Sequence, residues 1–375
     1  MKRLVLCLFL ALMAAGLCAQ TAEEYAALGA EKHARKDFKG AIQDFDQAIR
    51  LAPAEAGHYI ARGLSRSDAG DQSGAIEDYN KALKLEPEVY YVFYNRGLAN
   101  RRSGDLRAAI RDYTKAIELK PDFSAAYNNR ALAYDHLGDG AAAIDDLTAV
   151  IRLKPNYANA YYNRGNIKRN LKLDSAAVLD YEAAIAINSN EPDAHLNRGK
   201  SLAKLSRHAE AIEEFDRFMK LTGKQTAEIL CLRAGELADL GELKAAILDY
   251  DQAIDLEPDN AMAYFMRGAC KNESKEYAEA VKDYDKGIRL KPDIAYAYMS
   301  RGSAKLLTPG KGSRAAMKDF DKAISLDPNL AKAWHWRGVC KQILNDMDGA
   351  CADVRRAFEL GDTEAGAFIN KSCMK

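Results

Sequence analysis

The chain has 375 residues, with 54 basic and 54 acidic side chains and no net charge, so it lacks the cationic surplus of a nucleic-acid binder. Hydrophobic residues at 48% exclude a chain disordered throughout, and 25 glycines with nine prolines are too few for a collagenous or low-complexity one.

The first predicted element is a leader. Lys2 and Arg3 precede an apolar run over residues 4–17, and Ala19 is a small residue suited to precede a cleavage site. This is the pattern of a secretory signal over residues 1–19, too short for a comfortable membrane span. Two alternatives are an uncleaved anchor and cleavage before Cys18 with lipidation there, although Leu17 is a poor residue to precede a lipidated cysteine. No later segment is long and apolar enough to cross a membrane. The expectation is an exported mature chain of net charge about −2, in a bacterial periplasm or on an envelope surface, without a membrane span.

From residue 22 onward the chain repeats. Pro53, Pro87, Pro121 and Pro155 are 34 apart, and Pro258, Pro292 and Pro328 continue the grid. A period of this length signals a solenoid. Frames of 34 residues that place these prolines at position 32 give ten repeats. Position 20 is Ala in every one, from Ala41 to Ala350, and position 8 is always Gly or Ala. Position 24 is aromatic except at Leu147 and Val354, and position 4 is mostly aromatic, as at Tyr59, Phe93 and Trp334. Apolar residues at 4, 8 and 11, and at 20, 21, 24 and 27, have helical spacing, so each repeat holds two helices, A and B. Small residues at 8 and 20 permit close approach, and the proline stops helix B.

Repeat 3 carries Phe93-Tyr94-Asn95-Arg96-Gly97, then Ala109-Ile110-Arg111-Asp112-Tyr113, then Ala116 and Pro121. This pattern resembles the tetratricopeptide repeat family, over residues 22 to about 362. The resemblance implies an all-α, right-handed superhelical solenoid with helix A lining the concave face, and binding of peptides or proteins rather than catalysis. Departures fall at Ser189 and Gly223, which replace prolines, and in the two-residue insertion within 306–311. The expected organisation is repeats 1–6 over 22–222, repeats 7–10 over 227–362, and a capping helix and tail over 363–375, with a weak interface around 222–227.

Position 7 is Arg in nine repeats and position 23 is acidic in all ten. Regular charges on half-buried positions need partners. Pairing each acid with the next repeat's arginine strands none: Asp44 with Arg62, Asp78 with Arg96, and Asp353 with Lys371 of the cap. The alternative use of these charges is a track for a ligand.

The six histidines form no HExxH or paired metal motif, and no GxSxG elbow occurs. Gly199-Lys200-Ser201 lacks the upstream glycine and strand of a phosphate loop. Five cysteines follow the leader without CxxC spacing, so neither metal nor cofactor is expected. Cys340 and Cys351 lie on facing helices of repeat 10, where they either bridge or remain small buried thiols.

Candidate binding residues lie on the free face of helix A. Position 6 is Asn95, Asn129, Asn163 and Asn197 in four consecutive repeats, which resembles the asparagine ladder in the superhelix of the O-linked N-acetylglucosamine transferases. A side-chain amide both donates to and accepts from an extended peptide backbone. Tyr91, Tyr94, Asn128, Tyr162, Asn166 and Arg169 lie beside it. The alternative is that these asparagines simply meet water. In repeats 8–10 the corresponding positions hold Phe265, Met266, Met299, His335 and Trp336, either an apolar groove or helix-to-helix packing. Position 5 is never Lys, which argues against the family's carboxylate clamp for chaperone tails. The expected function is a non-enzymatic interaction scaffold, or a peptide-binding or regulatory subunit of a larger envelope enzyme or secretion complex.

Overall fold

The structure is a computed structural model that describes residues 21–309, 312–367 and 373. The described residues hold twenty helices, two per repeat, in two compact units divided between Ser189 and Asn190. Unit 1 contains α1 (Ala22–Ala34), α2 (Phe38–Leu51), α3 (Ala56–Asp68), α4 (Gln72–Leu85), α5 (Tyr90–Arg102), α6 (Leu106–Leu119), α7 (Ser124–His136), α8 (Gly140–Leu153), α9 (Ala158–Asn170) and α10 (Asp174–Ile187). Unit 2 contains α11 (Pro192–Lys204), α12 (His208–Thr222), α13 (Ala227–Asp239), α14 (Leu243–Leu256), α15 (Ala261–Glu273), α16 (Tyr277–Leu290), α17 (Ala295–Leu307), α18 (Gly312–Leu326), α19 (Ala331–Ile343) and α20 (Met347–Glu359). Odd-numbered helices are the expected A helices and even-numbered ones the B helices. The irregular segment at 222–227 lies inside unit 2 and joins α12 to α13.

Local chemistry sets the boundaries. In repeats 1 to 4 and 10 helix B starts where an aspartate accepts a backbone N–H, as Asp71 does from Gly74 at 2.9 Å and Asp105 from Ala108 at 2.9 Å. Before it, the chain reverses through a left-handed residue, glycine at Gly104 and Gly138 but Lys172 and Ser206 elsewhere.

The core has a rule that links two positions. The alanines at position 20 are fully buried, and so are the rings at 24, such as Tyr113 and Phe215. Where position 8 is glycine, the ring packs directly against it: a Cβ on Gly97 would fall 2.7 Å from the Tyr113 ring, and one on Gly302 2.8 Å from Phe320. In repeat 4 position 8 is Ala131, and position 24 is the smaller Leu147. Repeat 7 is the exception, with both Ala234 and Tyr250.

The arginines do join neighbouring repeats, but through other residues than expected. Arg62 Nε and Nη2 donate to Asp78 of its own repeat at 2.9 and 2.5 Å, and Nη1 donates to Asp46 of the preceding repeat at 2.6 Å. Arg130 pairs likewise with Asp146 at 2.8 and 2.7 Å and reaches back to Thr114 at 2.9 Å. The antiparallel hairpin sets position 7 opposite position 23 of the same repeat, so the acid expected across the joint is taken within it. Position 25 supplies the joint instead. Asp44, whose repeat has Leu28 instead of arginine at position 7, takes Lys32 at 2.6 Å. Position 11 therefore provides the partner that the sequence argument lacked. Asp353 pairs with Arg337 and Lys341, and Lys371 lies outside the described residues.

The position 4 ring completes the junction. The Arg62 guanidinium lies 5.7 Å from the Tyr59 ring centre, and the Tyr59 hydroxyl donates to the Pro53 carbonyl at 3.1 Å. Burial pulls the Arg62 pKa down, but hydrogen bonds to Asp78 and Asp46 outweigh it, so the net shift is upward.

At the C-terminal end, Ala365 is buried against Val354, Ala357 and Trp334, and residues 364–367 are helical. The rest of the expected cap, apart from Cys373, lies outside the described residues. Cys351 bonds to Cys373, not to Cys340, which is a free, fully buried thiol. Facing helices were not enough to bring Cys340 and Cys351 together, because Cys340 is fully buried in the core while Cys351 is only half-buried.

Candidate functional site: the helix-A faces

In unit 1, α5, α7 and α9 present the expected site residues on one kind of face. Asn95, Asn129 and Asn163 are all half-buried. They do not act alike. Asn129 Nδ2 donates to the Tyr94 hydroxyl at 3.1 Å and to the Ala125 carbonyl at 2.9 Å, so this amide ties repeat 4 to repeat 3. The Tyr94 ring packs edge-on to Phe123 at 4.9 Å and tilted to Tyr113 at 5.9 Å. The same scheme recurs in repeat 5, where Tyr162 lies 6.1 Å from Tyr181, and the Tyr181 hydroxyl donates to Asn166 Oδ1 at 2.8 Å. Arg169 is half-buried on the same helix.

On the same helices, the buried Asn128 Oδ1 and Arg101 Nε have no hydrogen-bond partner among the described residues, and the buried Tyr113 hydroxyl faces the Arg101 guanidinium. Buried polar groups are seldom left so, because each orphan costs about 1–3 kcal/mol. Burial raises the phenol pKa of both Tyr94 and Tyr113, and the nearby Arg101 guanidinium only moderates this. Both phenols are thus neutral donors at physiological pH. The face combines a carbonyl-type acceptor, a guanidinium donor and phenols, which suits a backbone with alternating N–H and C=O groups. Arg101 and Tyr113 were missed in the sequence. Only Arg101's place about one helical turn beyond Leu98 and two beyond Asn95 could have drawn attention to it.

In unit 2, Asn197 is half-buried on α11. The expected apolar groove of repeats 8–10 is not open where it was placed. Met299 and Phe265 are each only 6% exposed and belong to the core, with Trp336 half-buried against it. Phe265 fits inward because position 27 of its repeat is Gly287, where a Cβ would collide with the ring. His335 Nδ1 is 2.8 Å from Asp362 Oδ2, and its ring stacks on Trp336 at 6.0 Å. Met266, by contrast, stays 39% exposed. It lines a cavity of about 490 Å³ between α13 and α15 together with Cys231, Leu232 and Met262. The sequence signal for this cavity was the apolar character of position 6 in repeats 7 and 8, Leu232 and Met266, and of Met262 at position 2 of repeat 8, which attention to position 5 obscured.

Paired helices stacked in register, with a small-residue seam and a free A-helix face, define a helical-hairpin repeat solenoid. The tetratricopeptide repeat pattern matches residues 60–106, 94–158, 130–192 and 175–222, and again 261–294, and a TPR repeat pattern matches 236–270. The chain belongs to the tetratricopeptide repeat family. No curated protein matches it. Among solved structures it is similar to the MamA protein, with 27% identity over 45% of this chain and 92% of that one and a TM-score of 0.43. A tetratricopeptide repeat protein from Parabacteroides merdae has 22% identity over 66% and 98%, with a TM-score of 0.46. Yeast Tom70 has 15% identity over 94% and 95%, with a TM-score of 0.43.

Proposed function

We propose that this chain is an exported, non-enzymatic interaction scaffold that holds an extended peptide segment of a protein partner along the A-helix face of repeats 3–5. The observation that carries the reading is the run of half-buried, partly accessible amides Asn95, Asn128 and Asn163 on the successive A helices of repeats 3–5. An extended backbone satisfies both donors and acceptors at regular steps, and each amide contact is worth about 0.5–1.5 kcal/mol net. Asn129 has a structural task at Tyr94, so it contributes by shaping the face. The free thiols fit binding rather than nucleophilic chemistry. Burial pushes Cys231, Cys270 and Cys340 up to about 11, which keeps them protonated.

The test is a peptide selected from a random display library on the full chain, with its affinity measured by calorimetry. Combined Asn95→Ala, Asn128→Ala and Asn163→Ala should weaken binding at least tenfold with an unchanged circular dichroism spectrum. Unchanged affinity would move the site elsewhere.

Export agrees with the Cys351–Cys373 disulfide, since such bonds persist in oxidising compartments. The proposed leader lies outside the described residues. Mass analysis of the protein from its native cell should find a chain beginning at Gln20 and, without reductant, a linked Cys351–Cys373 peptide. A chain retaining Met1 with both thiols free would refute export.

A further inference from the structure

We infer that unit 2 carries a second, chemically different docking pocket, between α13 and α15, for a protein segment that places a long apolar side chain next to a lysine or arginine. It stands independently of the polar face in unit 1. Its cavity of about 490 Å³ is of the size that receives a small ligand or one or two large side chains. Leu232, Met262, Met266 and the edge of Tyr250 give it an apolar lining. Met262 remains 54% exposed and Met266 39%, so apolar surface waits to be covered. Gly235 keeps the wall open, because a Cβ there would meet nothing closer than the Tyr250 hydroxyl at 3.9 Å.

Charge complementarity selects the occupant. Every charged residue that lines the cavity is a glutamate: Glu228, Glu236 and Glu257. Lys200 reaches Glu228 at 2.9 Å and His208 reaches Glu236 at 2.7 Å, both from outside the lining. Glu257 accepts only the Asn260 amide, at 3.2 Å, and has no cationic partner among the described residues. Burial, with Glu257 and Asp249 beside it, holds the Cys231 thiol neutral, so it adds no charge to the wall. An apolar side chain would cover the methionines, whose flexible thioethers adapt to its shape, while an adjacent cation pairs with Glu257. An acidic segment would be repelled by the same rim.

The test uses the full chain and three fluorescein-labelled nonapeptides: one of Lys, Leu and Ser, one with Glu replacing Lys, and one with Ser replacing Leu. Anisotropy should show the Lys-Leu peptide binding at least tenfold tighter than either control and weakening as salt is raised. Glu257→Gln and Met266→Ser, both accessible positions, should each weaken it at least fivefold, and bound peptide should slow alkylation of Cys231. Equal binding of the Glu-containing peptide, unchanged affinity in both variants, or unaltered Cys231 alkylation would overturn the proposal. Binding lost through the Asn95, Asn128 and Asn163 substitutions instead would assign the peptide to unit 1. Self-association abolished by Met266→Ser would make the occupant a second copy of this chain and overturn it too.

Discussion

Arg130 and Arg164 offer a matched pair of perturbations. Each is 15% exposed, donates twice to a buried aspartate, reaches back to a threonine, and lies over the position 4 tyrosine. They differ at position 11. Lys168 also binds Asp180, at 2.8 Å, whereas repeat 4 has Tyr134 there, and no second cation reaches Asp146 among the described residues. Arg130→Ala therefore leaves a carboxylate about 7% exposed with no counter-charge, the situation in which breaking a buried pair costs about 3–5 kcal/mol. Arg164→Ala removes charge-assisted hydrogen bonds but leaves Asp180 paired, which costs about 1.5–3 kcal/mol. Amide hydrogen exchange read repeat by repeat is the suitable assay, because stacked repeats open locally. Protection should fall further in α7 and α8 of the first variant than in α9 and α10 of the second. Adding Lys168→Met to Arg164→Ala should bring the two into line. Equal losses in the single variants would refute the role given to position 11.

Gly97→Ala would push a methyl group into the Tyr113 ring, so it should cost about 1–3 kcal/mol by urea unfolding, and adding Tyr113→Leu should recover part of the loss, as Ala131 with Leu147 does. Ser206 is left-handed at φ 57°, so Ser206→Gly should stabilise by about 0.5–1 kcal/mol and raise the melting temperature. The thiols of Cys231, Cys270 and Cys340 move from 9.0 to about 11 on folding. Because the unfolded chain ionises first, their contribution to stability is whole below pH 9 and is lost as pH rises through about 11. Replacing all three with Ala should flatten the stability profile in that window; an unaltered slope there would count against buried, neutral thiols.

The period and both helices of every repeat were legible because prolines, Ala at 20 and rings at 24 recur with backbone and packing meanings that need no tertiary knowledge. The identity of charge partners was less accessible. Asp44 seemed stranded without an arginine, but Lys32, one turn along the same helix face, was free to serve it. Position 5 misled for a related reason: whether Phe265 points to a groove or to the core depends on Gly287, on a different helix. Likewise Cys351 found its partner beyond the last repeat, where the frame no longer constrains the chain. Of the polar face, the amides were visible from their spacing, but the orphaned atoms depend on side-chain directions that spacing does not set.

The back-reaching bond of each arginine also decides how compliant each joint is. In unit 2 the joints formed by Arg233, Arg267, Arg301 and Arg337 end on carboxylates, Asp216, Asp251, Asp285 and Asp321. In unit 1 the joints at Arg96, Arg130 and Arg164 end on the neutral Asn80, Thr114 and Thr148. The acids at the charged joints are 40–55% exposed, so dissolved ions screen them and each is worth at most about 1 kcal/mol. Ionic strength thus acts as a tension control on these joints and on the Arg62–Asp46 joint of repeats 1 and 2. Salt loosens the charged joints of repeats 6–10 as a spring is softened, while the joints that carry the amides of repeats 3–5 keep their stiffness.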